Sequence, residues 1–421
     1  MLLKKALSKW LVLALCLGLV PGLAIAGGGK GLSKSAFEEL EATGINKYLG
    51  EFSPVRYKDM GDGWVKHTFD PAAGNGPVCI TGTEYSVYTR KGKNPRQLLI
   101  MLQGGGACWQ GFYQCPPLLA GGDIQEPPFP REGIWDFDNK ANPFHKHSVV
   151  FMPYCDGSVF LGDNDVLDED FAAALAAADD PIEVEPIRYH RGLRNLSAGM
   201  DVAGNMFPKP RTVTVAGTSA GGVGAMTFAP FLARFEYGNK LKKLTVLNDA
   251  GPIGTNPEAV DAVAFRAADW RFDQLYPKSC TECDAQDLPT APLIDWRLAN
   301  DSRIREAFYG TDGDATAIVF ISINLPGSPP VVPFDPVNGV FGLDQVTYRA
   351  LFLPRQDRLN SKYPDRFKRF IVSGDDSHTA LQLPLLYEQD ANGVLLNEWI
   401  ADFLGNKKGW VDIVEDFQPL P

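Results

Sequence analysis

A single serine stands in a pattern suited to nucleophilic chemistry. Ser219 lies in the segment VTVAGTSAGGVGAM, residues 213–226, where a run of β-forming residues stops at Gly217 and small apolar residues follow. This order predicts a strand, a sharp turn and a helix, with Ser219 at the tip of the turn. In a GxSxG pentapeptide the flanking glycines allow the tight turn that directs the hydroxyl group outward. Ser219 is therefore the candidate nucleophile.

A serine hydroxyl becomes an effective nucleophile only when a base takes its proton. His378 follows RFIVSG, the last run of β-forming residues. This is the place where hydrolases with a GxSxG nucleophile have their base. His145 and His147 form an HxH pair, but the surrounding residues make a metal site a weaker interpretation, and we expect no metal or other cofactor. The chain has five histidines in all, and His190, in RYHRGLRN, is expected on a helix.

The third member of such a site is a carboxylate that orients the imidazole ring and stabilises its protonated form. In α/β-hydrolases this acid lies between the serine and the histidine in the chain. Three aspartates qualify: Asp249 ends a strand-like run, Asp335 lies in a proline-rich segment, and Asp344 begins the helical pattern DQVTYRALF. Local sequence features leave all three open.

A glycine-rich segment upstream could stabilise negative charge. In LLIMLQGGGACWQG a β-forming run ends at Gly104, Gly105 and Gly106, whose backbone can approach a substrate closely. The segment is similar to the HGGG-type loop of esterases, with glutamine in place of histidine. We expect backbone N–H groups of this loop, together with that of Ala220, to form an oxyanion hole.

The elements that must position these residues are visible as apolar runs with helical stretches between them. Several runs are continuously apolar, which is typical of strands that are covered on both faces. We therefore predict an α/β-hydrolase-like fold with a largely parallel sheet and helices on both faces. The predicted strands are 97–103, 148–154, 212–217, 243–249, 317–325 and 369–374, and the proline-rich residues 324–339 are expected to form a loop.

Composition and charge limit the function classes. The chain has 421 residues, of which 45% are hydrophobic and 22% charged, so it can bury a large core, and we expect residues 27–421 to form one catalytic domain with loop insertions. Its formal net charge of -11 disfavours binding to nucleic acid or to an anionic membrane.

The first residues have the order of a secretory signal peptide. Lysines precede an apolar run that is too short to favour a membrane-spanning helix, and Ala24 to Ala26 supply small residues for cleavage. We expect residues 1–26 to be removed after Ala26, leaving a secreted or periplasmic protein without a stable membrane anchor. Cys16 lies in the apolar run, where the preceding Leu15 is too large for a lipid-attachment site.

The cysteines support an oxidising compartment. Six remain after removal of the signal peptide, an even number that indicates three disulfides. Six cysteines allow fifteen pairings, among which sequence alone does not choose. The preferred set pairs Cys79 with Cys155, Cys108 with Cys115, and Cys280 with Cys283.

Several longer motifs are individually distinctive: QGGGACW, MPYCDGSVFLG, HRGLRN, VAGTSAGGVGA, LNDAGP and SGDDSHT. Together they resemble the pectin acetylesterase family, which also contains the Notum-type carboxylesterases, from about Tyr57 to His378. The resemblance implies that Ser219 is the nucleophile and His378 the base. It also implies that Gly105, Gly106 and Ala220 are the oxyanion donors. It also favours Asp344 as the acid, because in plant members the acid opens NPAYDSWQI with a proline ten residues later, and Pro354 lies ten residues after Asp344 here.

We therefore expect a secreted, metal-independent serine carboxylesterase, and the resemblance implies that its substrates are acetyl esters on a pectic polysaccharide. One alternative is a Notum-like or general carboxylesterase with a longer acyl pocket. Another is a non-catalytic polysaccharide-binding protein. The second alternative is disfavoured, because loss of catalysis would be expected to remove the serine, the histidine or the glycine loop, and all three are present.

Overall fold

The computed structural model describes residues 31–72, 74–114, 124–178, 181–253, 266–283, 290–322 and 343–420. Residues 266–270 are also helical. In the described part of the chain we number the helices α1 (Lys34–Thr43), α2 (Glu169–Ala176), α3 (Gly192–Met206), α4 (Ala220–Met226), α5 (Ala229–Tyr237), α6 (Thr290–Asn300), α7 (Ala315–Ser322), α8 (Gln345–Lys362), α9 (Leu385–Glu388) and α10 (Leu396–Gly405).

The helices pack around a ten-stranded sheet. Its strands are β1 (Arg56–Gly61), β2 (Trp64–Thr68), β3 (Ser86–Arg90), β4 (Asn94–Leu102), β7 (His147–Met152), β10 (Thr212–Thr218), β11 (Lys243–Asp249), β12 (Ile304–Thr311), β13 (Phe367–Val372) and β16 (Ile413–Val414). Their order in the sheet is β1-β2-β3-β7-β4-β10-β11-β12-β13-β16. The strands from β7 through β4 to β16 are parallel to their neighbours, whereas β1, β2, β3 and β7 pair antiparallel.

Three short antiparallel pairs lie outside the large sheet. They are β5 (Ala107–Trp109) with β6 (Phe112–Gln114), β8 (Asn164–Leu167) with β9 (Ile187–His190), and β14 (Asp390–Ala391) with β15 (Val394–Leu395). His190 therefore ends a strand, and the expectation of a helix at this position was wrong. Its ring is buried, and its Nδ1 lies 2.9 Å from the backbone oxygen of Asp156.

The central strands are apolar on both faces, as the continuous apolar runs predicted. Along β4, Leu98, Ile100 and Leu102 belong to one buried layer together with α3 and α5. The intervening Leu99 and Met101 belong to a second layer, which includes residues of α10. Because helices cover both faces of a largely parallel sheet, the predicted α/β-hydrolase-like fold is confirmed.

One predicted strand was wrong. Residues 317–325 were expected to form a strand, but 315–322 form helix α7, and the remainder lie outside the described residues. The strand at this place in the sheet is β12, eight residues that are all buried although they include Arg305 and Glu306. Glu306 is neutralised by Arg297, whose Nε donates to its Oε1 at 2.7 Å. Such compensation by a distant partner is invisible in a local pattern.

Two of the expected disulfides are present, Cys79 with Cys155 and Cys280 with Cys283. The expected pairing of Cys108 with Cys115 lies outside the described residues, because Cys115 does. The same holds for the signal peptide, residues 1–26, and for the proline-rich segment 324–339. Within the described ranges, no helix combines the length and the apolar character needed to cross a membrane.

The ion pair that supports β12 generates a stability prediction. We expect Glu306→Ala to lower the free energy of unfolding by about 3–5 kcal/mol, because it leaves the Arg297 guanidinium buried without its counter-charge. The matched control is Glu38→Ala, which removes the exposed partner of Lys34 on α1 and should change stability little. Denaturant unfolding followed by circular dichroism measures both. Equal effects of the two substitutions would contradict the importance of the buried pair.

Candidate active site

Ser219 lies at the sharp turn between β10 and α4, as the sequence predicted. Its backbone has φ 52° and ψ -120°, a conformation that residues with side chains rarely adopt. The turn fits because its neighbours lack side chains. A Cβ atom at Gly217 would collide with the carbonyl group of Gly221, and one at Gly221 would collide with the carbonyl oxygen of Leu102. The glycines thus allow α4 to begin directly against the ends of β10 and β4.

Hydrogen bonds hold the serine in this conformation. The backbone N–H of Ser219 donates to the carbonyl oxygen of Asp249 at 2.8 Å, and the N–H of Val223 donates to the carbonyl oxygen of Ser219 at 3.1 Å. The first bond ties the turn to the end of β11, and the second starts the helix. A strained residue of this kind costs on the order of 1–3 kcal/mol, and the surrounding packing must offset that cost.

The glycine loop follows β4 and packs directly on the serine turn. A Cβ atom at Gly104 would lie 2.8 Å from the carbonyl oxygen of Thr218 and 3.0 Å from the Cβ of Ser219. Gly105 and Gly106 have φ angles of 146° and 71°, in the region that favours glycine. No described residue accepts a hydrogen bond from the N–H of either Gly105 or Gly106.

Two polar side chains fix the shape of this loop. The Oε1 of Gln103 accepts hydrogen bonds from the N–H of Gln125 at 3.1 Å and of Tyr154 at 3.4 Å. The hydroxyl of Tyr154 donates to the carbonyl oxygen of Gly106 at 3.0 Å and accepts from the N–H of Val159 at 2.9 Å. Gln103 therefore braces the loop at the position where HGGG-type loops have histidine.

His378 lies in the loop after β13, and a buried carboxylate holds its ring. The Nδ1 of His378 lies 2.7 Å from Oδ2 and 2.9 Å from Oδ1 of Asp314. Asp314 is 1% exposed and immediately precedes α7, where its Oδ1 also accepts from the N–H of Ala317 at 2.8 Å. This arrangement fixes the imidazole orientation and leaves Nε2 available for a proton.

Asp344, the acid that the resemblance favours, does not contact His378. The carboxylate that pairs with the histidine is Asp314, and the expected pairing is corrected accordingly. Asp344 is the N-cap of α8, where its side chain accepts from the N–H of Thr347 at 2.7 Å. That hydrogen bond lowers the pKa of Asp344, a solvent-exposed carboxylate. The alternative Asp335 lies outside the described residues.

Asp249, the third alternative, is fully buried beneath the histidine loop. Its Oδ2 accepts from the N–H of Leu381 at 2.8 Å, and both carboxylate oxygens lie 3.1 Å from the N–H of Ala380. Burial raises the pKa of Asp249 to about 7, although these N–H groups oppose the shift. Asp249 thus binds backbone next to His378 instead of the imidazole ring.

Sequence reasoning missed Asp314, although a signal for it exists. Asp314 follows the strand IREAFYGT, residues 304–311, in the segment TDGDAT. Acids in this fold class lie in a loop after a strand, at the edge where the nucleophile turn also lies. Had this segment been identified as a strand, the aspartates after it would have become candidates.

The pair of His378 and Asp314 has a defined electrostatic character. Desolvation lowers the pKa of His378, but the charge of Asp314 and the hydrogen bond to it raise the pKa more, so the net value lies above the usual 6.5. About 24% of the His378 side chain is exposed. The protonated imidazole that forms when His378 accepts a proton is therefore stabilised.

Ser219 and His378 line the same cavity, which encloses about 590 Å³ of space including the part open to solvent. The Nε2 of His378 is buried and has no hydrogen-bond partner among the described residues. Gly106 and Ala220 also line the cavity, whereas Gly105 does not. The rest of the wall is mainly apolar: Ala107, Trp109, Val159, Val223, Pro252, Arg266, Trp270, Ala317, Phe320 and Ile321.

The other histidines lie apart from this cavity. His147 is a buried residue of β7, and the Nδ1 of His145 lies 2.7 Å from the carbonyl oxygen of Asn142. Nowhere in the described ranges do three or more histidine, cysteine, aspartate or glutamate side chains form a group that could hold a metal ion.

Comparison with known families finds one similarity. The family model described as pectinacetylesterase matches residues 63–259. Over these residues, which are somewhat less than half of the chain, the protein is similar to the pectinacetylesterase family. No curated protein matches the sequence. The matched span contains the glycine loop and Ser219, and it ends before Asp314 and His378.

Members of the pectinacetylesterase family are carboxylic ester hydrolases, and the match supports ester hydrolysis by this chain. The cavity has the parts that ester hydrolysis by a serine needs. A hydroxyl on a strained turn, an imidazole with one free nitrogen and backbone N–H groups of a glycine loop are all at one edge of the sheet.

The two aspartates are distinguished by substitution. We expect Asp314→Asn to lower kcat by about 10⁴-fold, because an amide can select the wrong imidazole tautomer. Asp344→Asn, at an exposed helix cap, should leave kcat near the wild-type value and serves as the matched control. Turnover of p-nitrophenyl acetate by purified variants of equal helical content measures both, with Ser219→Ala as the inactive reference. Full activity of Asp314→Asn would show that another group orients His378.

The raised pKa of His378 predicts a pH dependence. Only the neutral imidazole can accept the serine proton, so kcat/KM should fall as the pH drops through the pKa of His378, with a midpoint above 6.5. Asp314→Asn removes the charge that raises this pKa, so its midpoint should lie at lower pH. The measurement is kcat/KM for a short-chain ester from pH 5 to 9. A wild-type midpoint well below 6.5 would contradict the electrostatic assignment.

Proposed function

We propose that this protein is a secreted serine carboxylesterase that removes acetyl groups from a pectic polysaccharide. Ser219 is the nucleophile, His378 the general base and Asp314 the acid. The observation that carries the proposal is the orientation of His378, whose Nδ1 is held by Asp314 while Nε2 is free in the cavity that Ser219 also lines. This is the arrangement that a serine needs in order to lose its proton during attack.

Acylation begins when Oγ of Ser219 attacks the ester carbonyl carbon and the Oγ proton passes to Nε2 of His378. The carbonyl electron pair moves to the oxygen. The backbone N–H groups of Gly106 and Ala220, which line the cavity, and of the adjacent Gly105 stabilise the resulting oxyanion. Collapse of this intermediate breaks the bond to the alcohol oxygen, which takes the proton from Nε2. The products of this half-reaction are the free sugar hydroxyl and an acetylated Ser219.

Deacylation repeats these steps with water. His378 takes a proton from the water, whose oxygen attacks the acetyl carbonyl carbon, and a second oxyanion forms in the same place. Its collapse returns the proton to Oγ of Ser219 and releases acetate. Throughout, Asp314 stays ionised and stabilises the imidazolium form of His378 by its charge and hydrogen bond.

The compartment follows from the start of the chain and from the cysteines. We infer that residues 1–26 form a signal peptide cleaved after Ala26, and that residues 27–421 form one catalytic domain outside the cytoplasm. The disulfides between Cys79 and Cys155 and between Cys280 and Cys283 support export, because such bonds persist in oxidising compartments.

The cavity wall favours a second candidate, an esterase for longer acyl groups. Trp109, Trp270 and Phe320 line the cavity, and these aromatic side chains could contact an acyl chain longer than acetyl. Burying each additional methylene group of an acyl chain against such a wall contributes about 0.8 kcal/mol. If a longer acyl chain of the substrate contacts these residues, kcat/KM should rise with acyl length.

A panel of esters separates the two candidates. For the acetylesterase, we expect kcat/KM to be highest for p-nitrophenyl acetate and to fall towards p-nitrophenyl palmitate. We also expect acetate release from acetylated pectin. A maximum at eight carbons or more without acetate release would favour the longer-acyl esterase. Ser219→Ala is the control for uncatalysed hydrolysis. Wild-type rates no higher than those of this variant for every ester would contradict the proposal of an active esterase.

A further inference from the structure

One buried carboxylate joins the two parts of the site that must meet during catalysis. Asp249 ends β11, between β10, which leads to Ser219, and β12, which leads to Asp314. Its carbonyl oxygen accepts from the N–H of Ser219 at 2.8 Å. Its carboxylate accepts from the N–H of Leu381 at 2.8 Å, just beyond His378.

We propose that Asp249 is a positioning residue that sets the distance between Ser219 and His378 by binding the backbone of both catalytic loops. This inference rests on the proposed serine esterase function. Through its main chain Asp249 holds the nucleophile turn, and through its side chain it holds residues 380 and 381. A movement of either loop would therefore break hydrogen bonds to Asp249.

The carboxylate fits this task better than a neutral side chain of the same shape. Both of its oxygens face N–H donors, the backbone amides of Ala380 and Leu381. An asparagine with its oxygen in the place of Oδ2 would still accept from both donors, but its NH₂ group would take the place of Oδ1 and face the N–H of Ala380, a repulsive contact. The carboxylate is fully buried, which makes the loss of an acceptor there costly.

The charges around Asp249 connect it to the base. Above its own pKa of about 7, where Asp249 is ionised, its charge raises the pKa of His378, adding to the larger effect of Asp314. Besides His378 and Asp314, the ionisable residue Tyr309 of β12 also lies near Asp249, and its pKa is raised by burial and by the charge of Asp249. Removal of the Asp249 charge should therefore lower the pKa of His378, an effect that a purely structural residue would not have.

The experiment compares Asp249→Asn with a matched buried carboxylate. Asp301 is 1% exposed, pairs with Arg234 and accepts from the N–H of Arg303, and it precedes β12 at the opposite end of the strand from Asp314. Asp301→Asn should reduce the melting temperature and leave kcat unchanged. For each variant we would measure kcat, KM, the pH midpoint of kcat/KM and the melting temperature with p-nitrophenyl acetate as substrate.

We expect Asp249→Asn to lower kcat by about 10²-fold, the effect of a displacement of about 1 Å between reacting groups. KM should stay within about twofold, because the cavity wall is untouched, and the pH midpoint should move to lower pH. A folded Asp249→Asn with wild-type kcat and an unchanged pH midpoint would overturn the proposal. A rate loss that Asp301→Asn shares at equal melting temperature would also overturn it.

If Asp249→Asn does not fold, Asp249→Glu takes its place, because it keeps the charge and moves the carboxylate by one methylene group. It should lower kcat at least tenfold without changing KM. Wild-type kcat in Asp249→Glu would overturn the proposal. Failure of both variants to fold would also overturn it, because the main role of Asp249 would then be to stabilise the fold. An inactive wild-type enzyme that is also not labelled by a fluorophosphonate would instead refute the serine esterase function itself.

Discussion

The turn at Ser219 is the constraint on which the described site depends. A serine held at φ 52° stores strain, and the fold can keep it only where three backbone segments approach without side chains between them. Gly104, Gly217 and Gly221 each occupy a place where a Cβ atom would overlap a neighbouring backbone or Ser219. Because β4, β10 and β11 are adjacent in the sheet, their following loops all meet at this turn.

The parts of the fold that sequence predicted well are those fixed by local chemistry. Strands β4, β7, β10 and β11 are buried on both faces over most of their length, so each contains a mainly apolar run that is readable without knowledge of partners. Ser219 and His378 were located for the same reason, since each follows such a strand. Glycine patterns added the loop after β4.

The parts that could not be predicted depend on distant partners. Strand β12 contains Arg305 and Glu306, which are buried because Arg297 and the backbone carbonyl of Phe403 compensate their charges. Nothing within the strand itself indicates those contacts. The apolar run that follows it was therefore the more strand-like segment by composition, although Asp314 starts a helix there.

The two aspartates that begin α7 and α8 show the limit of motif reasoning. Asp314 and Asp344 both accept hydrogen bonds from the first turn of the helix that follows them. What separates them is burial beside His378, a property of the assembled sheet. A short motif can thus indicate a helix start and still leave the chemistry of its first residue undecided.

The place of Asp314 at the start of α7 links the chemistry to the shape of the substrate cavity. Ala317, Phe320 and Ile321 of the same helix form part of the cavity wall. An acyl group that pushes this wall outward also pulls on the carboxylate that sets the proton affinity of His378. Because α7 carries both the cavity wall and, at its start, the partner of His378, we expect a redesign of this wall for a bulkier ester to change the pKa of His378 as well.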